Sequence, residues 1–199
     1  DETGALCFET AQGEQRVRAA ATVLALGGGS WPQLGSDGAW VSLLQARGLD
    51  VAALQPANCG FDLDWSAHFA QRHAGAPIKP VVAHWRDSDG IEHALQGECV
   101  ATATGIEGSL VYALSAPLRE AIADDGSALL WLDLVPGRDL ERLQRELGRP
   151  RGGRSLSEHL RRQAGVDGVK AALLRETLDA AALADMDQVA AALKRLPLR

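Results

Sequence analysis

Cysteine is scarce in this chain. Cys7, Cys59 and Cys99 are the only three in 199 residues, and no C-x-x-C pair or even-numbered framework joins them. That excludes a disulfide-stapled module and suits a reducing cytoplasm, where an isolated cysteine serves as a small buried hydrophobe. Long apolar runs are missing too. None approaches the roughly 18–20 residues that a membrane span needs, and the polar, acidic amino terminus has no signal-peptide pattern. Net positive charge is also lacking: 20 basic against 26 acidic side chains leave −6, so no global field draws in nucleic acid. Tyrosine occurs once, against five tryptophans. What is abundant is apolar residue, at 46% with 23% charged, enough for a substantial core in one large domain or two small ones. The expectation is a cytoplasmic globular protein with neither a membrane nor a nucleic-acid partner. The absence of an initiator methionine and the ending "KRLPLR" lead us to expect a piece of a longer protein.

The pattern divides into three zones. Residues 5–10 and 15–19 read as strands around the turn "AQGE". "ATVLAL" (21–26) is continuously apolar, as a strand buried on both faces would be. It runs into Gly27-Gly28-Gly29, and "SDGAWVSLLQARGLD" then reads as a helix, with Ser36 or Asp37 as cap and Gly48 at its C′ position. A β-rich zone follows. It has a short strand in "PANCGFDLDWS", a loop around Pro77 and Pro80, and a hairpin turning at Asp87-Ser88-Asp89-Gly90. A helix over 109–123, locally kinked by Pro117 and stopped at Gly126, leads to the buried strand "ALLWLDLVP". Everything beyond reads as helix at 3.6-residue spacing, and no repeat of 20–50 residues is present.

Candidate chemistry is sparse. A strand ending in three glycines lets a backbone approach a flat or phosphorylated ligand closely, but a plain tight turn needs the same residues. No Gly-Lys-Ser/Thr follows and the G-x-G-x-x-G order is absent, so neither a Walker loop nor a dinucleotide fingerprint is present. Trp31, next to the turn, could border a ring-shaped ligand; Trp40 reads as helix packing, and Trp65, Trp85 and Trp131 as strand core. His68 and His73 are five apart and miss the i, i+4 face of a helical metal pair. The Asp87–Gly90 run lacks the Glu that closes a calcium loop and suits a hairpin turn better. No metal site is expected. No G-x-S-x-G accompanies Ser30 or Ser109, His84 and His93 read as a structural cross-strand pair, and "RPRGGR" as a solvated inter-helix loop.

Two stretches carry a resemblance. "ALGGGSWPQLGSDGAW" follows the order A-T-G-G, then S-x-P-x-x-G-S-x-G, with Leu26 in place of Thr. "GECVATATGIEGSLVYALSAPLREAI" matches a G-E…T-G…G segment at Gly97-Glu98, Thr104-Gly105 and Gly108, with Glu107 replacing Ser and Ser109 replacing Pro. "RSLSEHL" and "GVKAALLRETL" resemble one subgroup's helical region. Together they resemble the bacterial NAD(FAD)-utilizing dehydrogenases, an FAD-dependent oxidoreductase family that includes BaiN-type reductases and aminoacetone-oxidase-like enzymes.

The resemblance implies an α+β architecture. The trailing edge of a Rossmann-like FAD domain (1–58) would precede an inserted domain (59–199), with a small β-barrel-like part (59–134) and a helical part (135–199). It implies that Gly27, Gly28, Gly29, Ser30 and Trp31 approach the cofactor. Thr104, Gly105 and Gly108 would form a loop on the substrate side, with Glu107 as candidate acid or base against the alternative of a solvated carboxylate. FAD would be the cofactor of the full-length enzyme, with NAD(P)H a candidate electron donor and a small molecule the substrate. The amino-terminal fingerprint and the carboxy-terminal flavin-enclosing segment of the family are both absent from these residues, so the fragment alone is expected to be inactive and to hold no FAD. Its early strands are expected to offer edges for pairing with another copy. The alternative reading is a non-catalytic interaction or regulatory domain that keeps the fold.

Overall fold

A computed structural model describes residues 4–199, which fall into two compact units, Asp1–Gln55 and Pro56–Arg199. In the first unit β1 (Leu6–Thr10) and β2 (Gly13–Val17) form an antiparallel hairpin, followed by a 3-10 turn (Pro32–Leu34) and the short helix α1 (Trp40–Gln45). Asp37 Oδ1 accepts from Ala39 N at 3.0 Å near the start of α1, and Gly48, φ +79°, follows its end. The expected buried strand at 21–26 is not formed. Those residues pair with no strand among the described residues, and Val23 and Leu24 are 88% and 62% exposed. A strand buried on both faces needs neighbouring strands and covering layers, and the described residues of this unit supply one hairpin and one short helix.

The second unit holds all of the clustered core. β3 (Phe61–Asp62), β4 (Pro77–Arg86), β5 (Glu92–Ala101), β6 (Gly105–Glu107), β7 (Leu130–Asp133) and β8 (Leu196–Leu198) form one antiparallel sheet, in the order β3-β6-β5-β4-β7-β8. It curls as a half-barrel. Its two edges, β3 and β8, line a common apolar cavity of about 180 Å³ with Leu118 and Ile122. Buried Val81 and Ala83 alternate with half-buried Val82 and His84 along β4, the period-2 pattern of a sheet with one face in the core.

Helices cover that face: α2 (Ala67–His73), α3 (Ser109–Ala113), α4 (Ser115–Asp125), α5 (Leu140–Leu147), α6 (Leu156–Ala164), α7 (Gly168–Thr177), α8 (Ala180–Ala184) and α9 (Met186–Lys194). α3 packs on β5 and β6, α7 touches β4 and β8, α9 touches β7 and β8, and α5 lies against α6 and α9. Ser66, Asp139, Ser155, Asp179 and Asp185 each accept a first-turn N–H at a helix start. The α+β, barrel-plus-helical expectation holds for this unit.

Four local expectations are corrected. Pro77 opens β4, a position that tolerates proline, and Pro80 lies at an irregularity between Ile78 and Val81, where a bulge tolerates the missing N–H. The helix expected over 109–123 breaks at Leu114; Pro117 then falls in the first turn of α4, where it costs no hydrogen bond. The tail is not wholly helical, since Leu196–Leu198 returns to pair with β7. Trp131 is not core: it lies under the Arg195 guanidinium, 4.3 Å from the ring centroid, and Trp65 sits in a loop.

The exit from β7 ties sheet to helices. Asp133, nearly buried, accepts from Val135 N (2.9 Å) and from Lys194 Nζ (2.5 Å), and Lys194 also donates to Arg138 O (2.6 Å). Lys170 Nζ donates to Leu134 O (2.6 Å) and Pro80 O (2.7 Å). The chain has only three lysines, and two of them are spent here. Breaking a buried pair strands a charge, so Lys194→Met is expected to lower unfolding free energy by about 3 kcal/mol. In denaturant titrations, Asp133→Asn in the same chain should recover more than half of that loss.

Candidate functional site

The glycine turn of the first unit is closed on itself. Gly27 has φ +76°, Gly38 N donates to Gly28 O at 3.1 Å, and Trp31 and Ser36 exchange backbone hydrogen bonds across the 3-10 turn. A Cβ on Gly29 would meet Leu54 Cδ1 at 2.9 Å, the end of a side chain that can move aside, and Gly38 Cα at an ordinary 3.5 Å. A Cβ on Gly27 would meet nothing within 4 Å. The N–H groups of Gly27, Gly28, Gly29 and Ser30 donate to no acceptor among the described residues, and the Trp31 ring is 61% exposed. The segment therefore presents consecutive donors beside an uncovered indole.

In the second unit, Gly105–Glu107 of the expected loop is strand β6, and Thr104 and Gly108 are the bends on either side of it. β6 lies between β3 and β5, with Thr104 O accepting from Leu63 N at 2.7 Å and Gly105 O from both Thr102 N (2.8 Å) and Trp65 Nε1 (3.0 Å). A Cβ on Gly105 would stand 1.9 Å from Phe61 O, so only glycine lets β3 close on β6 here. Gly108, φ +108°, turns the chain into α3, and its missing Cβ would lie 3.3 Å from Cys99 Cα. Glu107 ends β6 exposed, and its carboxylate has no hydrogen-bond or ion-pair partner among the described residues. The two expected site segments belong to different units.

Other candidates resolve into structure. Both Asp87 carboxylate oxygens are used by the hairpin: Oδ1 accepts from Asp89 N and Ile91 N, and Oδ2 meets His93 Nε2 at 2.6 Å. The His93 contact, followed by these amides, holds the Asp87 carboxyl below the usual carboxylate range. His93 stands opposite Trp85 and stacks on it at 5.3 Å, whereas His84 stands opposite Ala94, so the two histidines are not a direct cross-strand pair.

Cys99 is buried in the core, and that burial pushes its thiol up to about 12, which makes it an inert hydrophobe at neutral pH. Lys170 is shifted down by burial, against the attraction of Asp133. The sequence signal for Lys170 and Lys194 was the rarity of lysine.

Between α2, α6 and α7 lies a cavity of about 480 Å³, where Glu176 accepts from both Ser66 N and Ser66 Oγ at 2.8 Å. His73 at its wall is shifted below 6.5, first by burial and then by Arg72 and His68, with Glu176 opposing.

Two outcomes follow from this geometry. Gly105→Ala is expected to destabilise by about 3 kcal/mol or more through overpacking. Gly153→Ala, where a Cβ meets open space at an ordinary backbone conformation, should be near neutral in the same melt. The unfolded chain protonates His73 before the folded one does. Stability should therefore decline as pH falls from 6.5 through the lower folded-state value, and His73→Gln should remove that part of the slope in denaturation curves taken across pH.

The family model described as the HI0933-like protein barrel and H2TH domain matches residues 55–199. No curated protein matches the chain. The matched stretch covers the whole half-barrel and its helices, and the family is of the flavoprotein NAD(FAD)-utilizing dehydrogenase type. With nearly three quarters of its length matched, this chain belongs to the HI0933-like family.

Proposed function

We propose that the chain is part of an FAD-dependent oxidoreductase in which the unit Pro56–Arg199 shapes the substrate side of the flavin. The observation that carries this reading is the match of the HI0933-like model to the whole of that unit. The chemistry of the glycine turn fits the cofactor: four unused N–H donors from Gly27 to Ser30 suit the oxygens of a flavin or its ribityl-pyrophosphate arm, and no side chain stands in front of Gly27. Trp31 would border the ligand with its exposed ring. When bound, FAD supplies the redox chemistry, and NAD(P)H is the electron donor we favour.

The residues of the second unit position rather than react. Gly105 holds β6 tight against β3, and Gly108 turns the chain so that Glu107 stands exposed at the strand end. With no partner consuming its charge, Glu107 is the side chain in this segment able to take or give a proton to a small-molecule substrate. Among the described residues no helix is long and apolar enough to cross a membrane.

The test is spectral. Full-length protein should purify with flavin absorption bands, or regain them with added FAD, and the bands should bleach with NAD(P)H. A colourless preparation that FAD does not reconstitute would favour a non-catalytic interaction domain instead. The 199-residue chain has no G-x-G-x-x-G and is expected to bind FAD weakly or not at all; micromolar affinity by titration would contradict that.

A further inference from the structure

Charge is distributed unevenly along this chain. Residues 138–175 carry ten basic side chains against five acidic ones, so the other 161 residues hold −11 of a protein whose total is −6. Nine of those ten cations are arginines. The structure sorts them. Arg138 and Arg142 share Glu146, Arg161 and Arg162 share Glu158, Arg175 bonds Ser157 Oγ, and Lys170 bonds two carbonyls. Arg145, Arg149, Arg151 and Arg154 are left, all exposed and, among the described residues, none in an ion pair; of the four, only Arg149 makes a side-chain bond to a described residue, Gln163 Oε1 at 3.3 Å.

Three of the four sit in the loop between α5 and α6, "GRPRGGR", where every residue from Gly148 to Arg154 is exposed. The neighbouring cavity between α2, α6 and α7 is balanced, with Arg72, Arg161 and Arg175 against Glu158, Asp167 and Glu176. The arginines with neither a carboxylate nor a neutral anchor other than Gln163 thus lie in this loop and on α5, where Arg145 is accompanied by the exposed Asp139 and Glu141.

We propose that the α5–α6 loop contacts the phosphate backbone of duplex nucleic acid without reading its sequence. Such contact departs from the expectation of no nucleic-acid partner, which rested on the net charge of the whole chain and on the lack of aromatic stacking partners beside this loop. Arginine's planar fork matches phosphate oxygens, and four forks outside any ion pair, one of them bonded only to Gln163, exceed what one small anion can occupy. The loop has no aromatic ring on which an unpaired base could stack, which argues against single strands. Its one apolar side chain, Pro150, is too little to enter a bilayer or to anchor a protein interface. A regular lattice of phosphates is the partner this composition fits. Each phosphate contact releases a counterion, so binding is strongest at low ionic strength. This inference is independent of the flavin reading.

The experiment is fluorescence anisotropy of the 199-residue chain against a labelled duplex of about 20 base pairs, over a salt series beginning near 20 mM. With four phosphate contacts, log K against log salt should have a slope of about −3.6, the same for two unrelated sequences. Arg149→Gln, Arg151→Gln and Arg154→Gln together should lower that slope by about 2.7 while leaving the circular dichroism spectrum and melt unchanged. Arg161→Gln with Arg162→Gln, which removes cations already paired, should change it little. Absence of binding at the lowest salt would overturn the proposal, as would a triple variant that binds like the parent. Displacement by poly-glutamate as effective, charge for charge, as by unlabelled duplex would overturn it in favour of an acidic protein.

Discussion

The ion pair between Asp133 and Lys194 is the constraint on which the rest of this structure depends. A carboxylate that is nearly buried needs a matching cation, and this one is met at 2.5 Å by the last residue of α9. The same ammonium reaches Arg138 O, and Lys170 supplies Leu134 O and Pro80 O from α7. Strands β4 and β7, the turn into α5, and helices α7 and α9 are therefore joined where the sheet ends. Carbonyls leaving a strand inside a fold must find donors, and two flexible lysines provide them. With α9 fixed, β8 is delivered beside β7 to complete the sheet order.

Much of this was legible in the sequence, for local reasons. Asp139, Ser155, Asp179 and Asp185 announce helices because a short side-chain oxygen at that position satisfies an otherwise unpaired N–H. Gly126 announces an end because it takes φ +76° without strain. The misses share a cause as well. Ala21–Leu26 has strand composition, but composition cannot supply the neighbouring strands. β8 is three residues with a proline in the middle, too short for any period; its place is set by Leu130 and Leu132 across the sheet. Trp131 looked like core because the cation that covers it, Arg195, lies 64 residues away in sequence.

The candidate site shows the same division. Gly105 stood out in the sequence as part of a motif, and the structure gives it a mechanical cause, the closeness of Phe61 O. Gly29 has no such backbone neighbour, since a Cβ there would meet the movable end of Leu54. What the fold leaves unexplained is the row of unused donors from Gly27 to Ser30 and the unpartnered carboxylate of Glu107, and those are the groups that the flavoprotein reading employs. The arginines of 138–175 could be counted in the sequence, but not sorted. Which of them are neutralised depends on Glu146 and Glu158 standing one turn away on the right helix face.

All clustered core side chains lie between Phe61 and Leu198, so sheet and helices of Pro56–Arg199 should form one cooperative body held at the β7 exit. The direct measurement is thermal unfolding of residues 56–199 alone, followed by tryptophan fluorescence from the sheet and by far-ultraviolet circular dichroism from the helices. The account predicts a single transition with coincident midpoints. Separate transitions for the two signals, or no cooperative melt, would contradict it.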